Sequence, residues 1–239
     1  MRKTPLFRGC DARVVAWLVA LFAVLSAFAP RSMAQDPQLQ QKVAEIKQYL
    51  SLNKQAIAQY TWQESQTTSV KGEVKKEELF QVQIGPNGQP QKTALDPDQS
   101  SGGRRHGIKH RIEEDYEKYG QQIAALAQSY AQPDPGKLQQ MFDQGNVMLG
   151  SAGAPNEVKV VISGYLKPGD SVTIIFNKTQ LAIQSLQIAS YLNDPSDTVK
   201  ISAQYAQLPN GPNHIASMIV DGVSKQLTVQ QQNSNYQKL

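Results

Sequence analysis

The strongest constraint on the fold is a series of short segments, from Val158 to the end of the chain, in which hydrophobic and polar residues alternate. Successive side chains of a strand point to opposite faces, so a period of two predicts β-strands with one buried face. Turn sequences such as Asn177-Lys178-Thr179 and Pro209–Pro212 separate these segments. Because loops of a few residues can join only antiparallel neighbours, the pattern predicts an antiparallel sheet.

A second group of strands is predicted between residues 60 and 95. Tyr60 and Trp62 share one face of the first, and Lys71-Gly72-Glu73 is a turn candidate. Asn87-Gly88 is a strong hairpin signal and precedes a third short strand at Lys92–Leu95. In all, the sequence predicts about eight or nine strands and two or three helices. This is an α+β fold: a large curved antiparallel sheet, or incomplete barrel, with the helices packed on its concave face.

Three helices are predicted from apolar residues at spacings of three and four. The first covers residues 36–59, with Leu52-Asn53 as a candidate break. The second runs from Ile108 to Gln132, where Pro133-Asp134-Pro135 stops it, and a short third follows at residues 136–144. The last two form a helical pair at about residues 104–145, after a glycine- and serine-rich loop.

The N-terminal residues have the pattern of an export signal. Val14–Ala29 contains no charge, basic residues precede it, and Ser32-Met33-Ala34 supplies small residues for cleavage. This pattern predicts a secretory signal peptide at residues 1–34 and a single domain at residues 35–239. A retained membrane anchor is the weaker interpretation, because a spanning helix needs about 17–25 apolar residues. We therefore expect no integral membrane segment after cleavage.

The charge balance excludes some classes of partner. The 239 residues include 24 Lys and Arg and 20 Asp and Glu, but removal of residues 1–34 leaves 19 of each. A neutral domain has no electrostatic attraction for nucleic acid, so no nucleic-acid partner is expected. The only cysteine, Cys10, lies within the predicted signal, so disulfides cannot hold the domain together.

The sequence contains no recognisable catalytic or metal-binding set. His106 and His110 have a spacing that could bind a metal on a helix, but Arg and Lys residues surround them, and His214 has no carboxylate or cysteine near it in sequence. No serine lies in a Gly-x-Ser-x-Gly elbow, and no glycine-rich loop opens a helix. We therefore expect that the protein is not an enzyme and binds no metal or cofactor. A hydrolase is an alternative for which the sequence offers no catalytic set.

The period-two pattern also predicts which apolar side chains face the helices. They would line a cavity between sheet and helices, or they would form a solid core, and the pattern alone allows both. These ligand-binding candidates are Tyr60, Trp62, Phe80, Val82, Ile84, Ile174, Phe176, Leu186, Ile188, Met218 and Val220.

The order of elements resembles a known superfamily. A helix leads into the Tyr60-x-Trp62 strand and the Lys71-Gly72-Glu73 turn, and the chain ends in the Ser171–Ile188 hairpin and the Leu227–Leu239 strand. This arrangement is similar to that of the periplasmic outer-membrane lipoprotein-carrier (LolA/LolB-like) superfamily. The resemblance implies an incomplete antiparallel barrel closed by helices, with a cavity for acyl chains or lipidated polypeptides. Some members of the superfamily are sensor domains of envelope-stress regulators.

The resemblance implies a monomeric periplasmic protein that binds a lipid or an acylated lipoprotein without covalent chemistry, as a carrier or a sensor. Full secretion is the alternative location. The alternative function is that of a cell-envelope structural or interaction protein with a solid core and no ligand. Such a protein would dock a partner through basic residues ahead of and within the second helix, namely Arg104, Arg105, Lys109 and Arg111.

Overall fold

An antiparallel sheet of ten strands dominates the computed structural model, which describes residues 37–95, 108–131 and 134–239. The chain divides into two units, Met1–Gln40 and Gln41–Leu239, and the sheet belongs to the second. The helices of the described part are α1 (Pro37–Ile57), α2 (Ile108–Ala131) and α3 (Pro135–Asp143). The strands are β1 (Tyr60–Val70), β2 (Glu73–Ile84), β3 (Pro90–Ala94), β4 (Val147–Ser151), β5 (Glu157–Ser163), β6 (Ser171–Asn177), β7 (Ala182–Tyr191), β8 (Thr198–Gln207), β9 (Asn213–Gly222) and β10 (Leu227–Lys238).

All ten strands form one antiparallel sheet, in which two runs of consecutive strands, β1–β3 and β4–β10, are joined side by side. The strands lie in the order β3-β2-β1-β10-β9-β8-β7-β6-β5-β4, so the first strand pairs with the last. The edge strands β3 and β4 do not pair with each other, and the sheet is therefore not closed. The predicted α+β fold with a curved, open antiparallel sheet is confirmed.

Local backbone chemistry fixes the turns that were predicted from sequence. Lys71 and Gly72 join β1 to β2 with φ angles of 52° and 80°. Two consecutive positive φ angles are typical of a type I′ hairpin turn, which matches the twist of the flanking strands. The Asn87-Gly88 turn lies between β2 and β3, with a φ of 74° at Gly88.

One face of the sheet, called the inner face below, carries the core. Cross-strand pairing aligns Ile174 with Leu186 and Ile201 with Val220 on this face, and all four are buried. Helix α2 covers part of it with a stripe of buried residues at helical spacing: Tyr119, Ile123, Leu126, Ala127 and Tyr130. Period-two strands and a period-3.6 helix thus bury their apolar sides against each other.

Gly222 lets α2 approach the end of β9, and we expect a Gly222→Ala substitution to be costly. A Cβ atom there would lie 2.4 Å from Cε1 of Tyr119. The tyrosine ring has little room to move, because it is 3% exposed and its hydroxyl donates to Asp197 Oδ1 at 2.8 Å. Overpacking of this kind costs about 1–3 kcal/mol of unfolding free energy, measurable by urea denaturation.

Gly150→Ala is the matched control, since a Cβ atom at Gly150 meets no atom within 4 Å. Equal unfolding midpoints for the two variants would contradict the proposed close approach of Tyr119 to β9.

The structure corrects three details of the sequence prediction. Helix α1 is unbroken at Leu52-Asn53, where the Asn53 side chain makes tertiary rather than helix-breaking hydrogen bonds. Strand β4 was not predicted, because its VMLGS sequence is short and lacks alternation. The described residues form ten strands, where about eight or nine were predicted, and the polar end of the last strand stays in the sheet to Lys238 because it pairs with β1.

Candidate ligand-binding groove

A groove of about 490 Å³ opens between α1 and one end of the sheet. Its walls come from α1, the start of β1, the end of β10 and the turns that join β6 to β7 and β8 to β9. The lining residues are Glu45, Gln48, Tyr49, Leu52, Asn53, Ala56, Gln59, Tyr60, Leu181, Gln207, Asn210, Gly211, Pro212 and Lys238. The volume lies within the range of about 300–1,000 Å³ typical of small-molecule sites.

Two contacts hold α1 over the end of the sheet. Asn53 Nδ2 donates to the backbone carbonyl oxygen of Asn213, and the backbone N–H of Asn213 donates back to Asn53 Oδ1, both at 2.8 Å. One turn earlier, Tyr49 packs edge-on against Phe176 of β6, with ring centroids 5.7 Å apart. Burial raises the pKa of the Tyr49 hydroxyl, which keeps this side chain neutral. The wall formed by α1 is therefore fixed by paired hydrogen bonds and aromatic packing.

The groove exposes apolar side chains to solvent on both sides. Leu52 of α1 is 57% exposed and Leu181 of the β6–β7 turn is 50% exposed. The polar part of the lining consists of glutamine and asparagine side chains, the two tyrosines, one acid, Glu45, and one base, Lys238. A lining with both apolar and polar side chains suits a ligand that has a hydrophobic part and a polar end.

The eleven apolar residues predicted to face the helices share the inner face of the sheet, but they differ in exposure. Tyr60 lines the groove. Phe80, Ile84 and Met218 are partly exposed. The remaining seven are buried: Trp62, Val82, Ile174, Phe176, Leu186, Ile188 and Val220. The sheet brings all eleven to one face, and their role in ligand binding stays a prediction.

The inner face is polar at β1 and β3. Glu64 is 2% exposed and pairs with Lys92 Nζ, which also lies 5.6 Å from the centre of the Phe80 ring. On β10, the Gln231 side chain donates to Asn233 Oδ1 at 3.1 Å. This part of the inner face offers hydrogen-bonding groups where β4–β9 offer hydrocarbon.

The basic residues predicted to dock a partner are not placed by the structure. Arg104 and Arg105 lie outside the described residues, and Lys109 and Arg111 lie in α2 with side chains outside the described part. A second groove of about 370 Å³ borders α2 and is lined by Lys71, Ile112, Asp115, Tyr116, Ser224, Lys225 and Gln226. Its mixed charges do not select an acidic partner, and docking through the basic residues stays a prediction.

Within residues 37–95, 108–131 and 134–239, no three His, Cys, Asp or Glu side chains are arranged to hold a metal ion. His106 lies outside these ranges, and the side chain of His110 is not described. Burial lowers the pKa of His214, so its neutral form is favoured. No helix in the same ranges combines the length and the apolar character needed to cross a membrane.

Sequence reasoning missed most of the groove. Tyr49, Leu52 and Ala56 follow each other at helical spacing and could have been recognised as a second apolar stripe on α1. Leu181 and the β8–β9 turn carried no such signal, because their approach to α1 depends on the pairing of distant strands.

Solved structures that are similar to this chain include two whose likeness is weak. A LolA superfamily protein from Nitrosomonas europaea matches 81% of this chain and 93% of its own, at 8% identity and a TM-score of 0.37. A DUF1329 family protein from Desulfovibrio piger matches 82% and 92%, at 11% identity and a TM-score of 0.40. No protein-family model and no curated protein matches the sequence. The first structure has the name of the superfamily that the sequence resembles.

Proposed function

We propose that this chain binds the acyl part of a lipid or of an acylated protein, non-covalently, in the groove between α1 and the end of the sheet. The observation that carries the proposal is the pair of leucines, Leu52 and Leu181, exposed on opposite walls of one groove. Burying an acyl chain against them removes apolar surface from water, which is worth about 0.8 kcal/mol for each buried CH₂.

The protein would act in the cell envelope. The pattern of residues 1–34 supports export, and the resemblance in the sequence supports the periplasm as the location. Binding without covalent chemistry suits a carrier or a sensor, since either must release its ligand unchanged.

A charge placed in the groove is expected to weaken binding. Leu52→Glu and Leu181→Glu should each weaken the binding of lauryl compounds about tenfold or more, because each loses a hydrophobic contact worth about 1.5–3 kcal/mol. Binding can be measured by native mass spectrometry with laurate, lauramide and 1-dodecanol. Glutamate favours helices, so the change in α1 should not disturb the fold.

Val74→Glu is the matched control. Val74 is 58% exposed, close to the 57% of Leu52, but it lies on β2 and does not line the groove. The control should bind like the unmodified chain. If all three variants bind equally well, or if the unmodified chain binds no lauryl compound, the proposed function is wrong.

A further inference from the structure

The sheet opens between β9 and β10 beside the groove. Backbone pairing of these strands ends at Gln232 and Ser217, although both strands continue past that point. Beyond it, side chains replace the ladder: Asn233 Nδ2 donates to the carbonyl oxygen of Ile215 at 2.9 Å, and the Tyr236 hydroxyl donates to the same oxygen at 3.3 Å. The opening is therefore bridged by side chains rather than by backbone.

Two further irregularities occur at the same level of the sheet. The β1–β10 ladder shifts register between Thr61 and Gln63, opposite Asn235, which has a φ of 53°. The β8–β9 ladder shifts between Gln204 and Tyr205, whose partner is Ile215. Bulges redirect side chains and are frequent next to binding sites.

Three aromatic rings meet at this opening. The Tyr236 ring stacks on Trp62 with centroids 5.5 Å apart and an interplanar angle of 18°. It also contacts the His214 ring, with centroids 4.2 Å apart. Trp62 is 7% exposed, whereas His214 and Tyr236 are half-buried.

Two buried nitrogen atoms of the cluster have no hydrogen-bond partner among the described residues: Trp62 Nε1 and His214 Nδ1. A buried polar atom without a partner costs about 1–3 kcal/mol, so such atoms are few in native structures. The groove lies next to this cluster along β1 and β10, because Tyr60 and Lys238 line the groove and pair with each other, two residues from Trp62 and Tyr236 on the same strands.

The two atoms together define the chemistry of a ligand group. The indole N–H of Trp62 can only donate a hydrogen bond, whereas His214 Nδ1 accepts one when the neutral ring carries its proton on Nε2. An amide or an alcohol can accept from the first and donate to the second. A carboxylate has only acceptors and would place negative charge against the lone pair of His214.

We propose that Trp62 Nε1 and His214 Nδ1 hold the neutral polar group of the bound amphiphile, an amide or an alcohol rather than a carboxylate. This inference rests on the proposed function, because the acyl chain would occupy the adjoining groove. A carboxylate head would remain at the mouth of the groove near Lys238, away from the two nitrogen atoms.

The test compares lauramide, 1-dodecanol and laurate on the purified full chain and on the variants Trp62→Phe and His214→Phe. Each variant keeps an aromatic ring against Tyr236: Trp62→Phe removes Nε1, and His214→Phe removes both ring nitrogen atoms, including Nδ1. Loss of one hydrogen bond should weaken lauramide and 1-dodecanol about three- to tenfold and leave laurate within about twofold of the unmodified chain. Titration calorimetry measures all three affinities without using tryptophan fluorescence.

The outcomes separate the two proposals. If laurate, lauramide and 1-dodecanol all bind and neither substitution changes their relative affinities, the head-group site is wrong and the groove stands. The same result is expected if the two nitrogen atoms only hold an internal water. His214→Phe keeps the inference testable if Trp62→Phe fails to fold, because it changes a partly exposed ring of similar size.

Discussion

Asp170→Ala is expected to lower the free energy of unfolding by about 4 kcal/mol or more, since each buried donor left without a partner costs about 1–3 kcal/mol. Asp170 is 2% exposed, and its carboxylate accepts from the backbone amides of Tyr165, Leu166 and Lys167 at 2.6–2.9 Å. It also accepts from the hydroxyl of Tyr130 on α2. One side chain thus closes the β5–β6 loop and attaches that loop to a helix.

The tyrosine remains a donor because burial, with a contribution from the carboxylate, raises the pKa of Tyr130. Urea denaturation followed by circular dichroism measures the loss. Asp170→Asn should fall between Asp170→Ala and the unmodified chain, because the amide keeps one acceptor oxygen but places an NH₂ group among donors.

Glu117→Ala is the control, since Glu117 is an exposed carboxylate on α2. It should change the unfolding free energy by about 0.5 kcal/mol or less. An Asp170→Ala variant as stable as this control would mean that the loop does not depend on the carboxylate.

The anchoring role of Asp170 could not be predicted from the sequence, although the strands on either side of it could. Period-two alternation identifies β5 and β6 because burial on one face requires it, whatever the partners are. The sequence does not show whether an acid in a glycine-containing loop is buried or exposed. The partner that explains the burial of Asp170 is Tyr130, which lies forty residues earlier on α2. Local pattern predicts elements, whereas hydrogen bonds between distant elements depend on the packing.

The same distinction explains the candidate groove. The sequence predicts that Tyr60, Trp62 and Met218 share the inner face, and strand pairing places them there. It does not predict that β9 and β10 separate near Ile215, because the polar sequence at the end of β10 is compatible with a paired strand or with a loop. Local sequence pattern also does not predict that the first strand pairs with the last. This pairing decides the position of the groove.

Phe176→Ala is expected to lower the free energy of unfolding by about 3–5 kcal/mol, because a large buried side chain would be replaced by a cavity. Phe176 is 2% exposed and packs edge-on against Tyr49 of α1. Denaturant unfolding again measures the change. The loss should also loosen α1, which hydrogen exchange of the α1 amides would detect.

Phe80→Ala is the matched comparison, because it makes the same chemical change on the same face of the sheet. Phe80 is partly exposed, with Lys92 over its ring, so its removal should cost about 1 kcal/mol. The difference between the two variants distinguishes a filled core from an open surface. A large cost at Phe176 with a small cost at Phe80 means that the inner face is solid beneath α1 and open near β1–β3. Equal, small costs at both positions would contradict a filled core beneath α1.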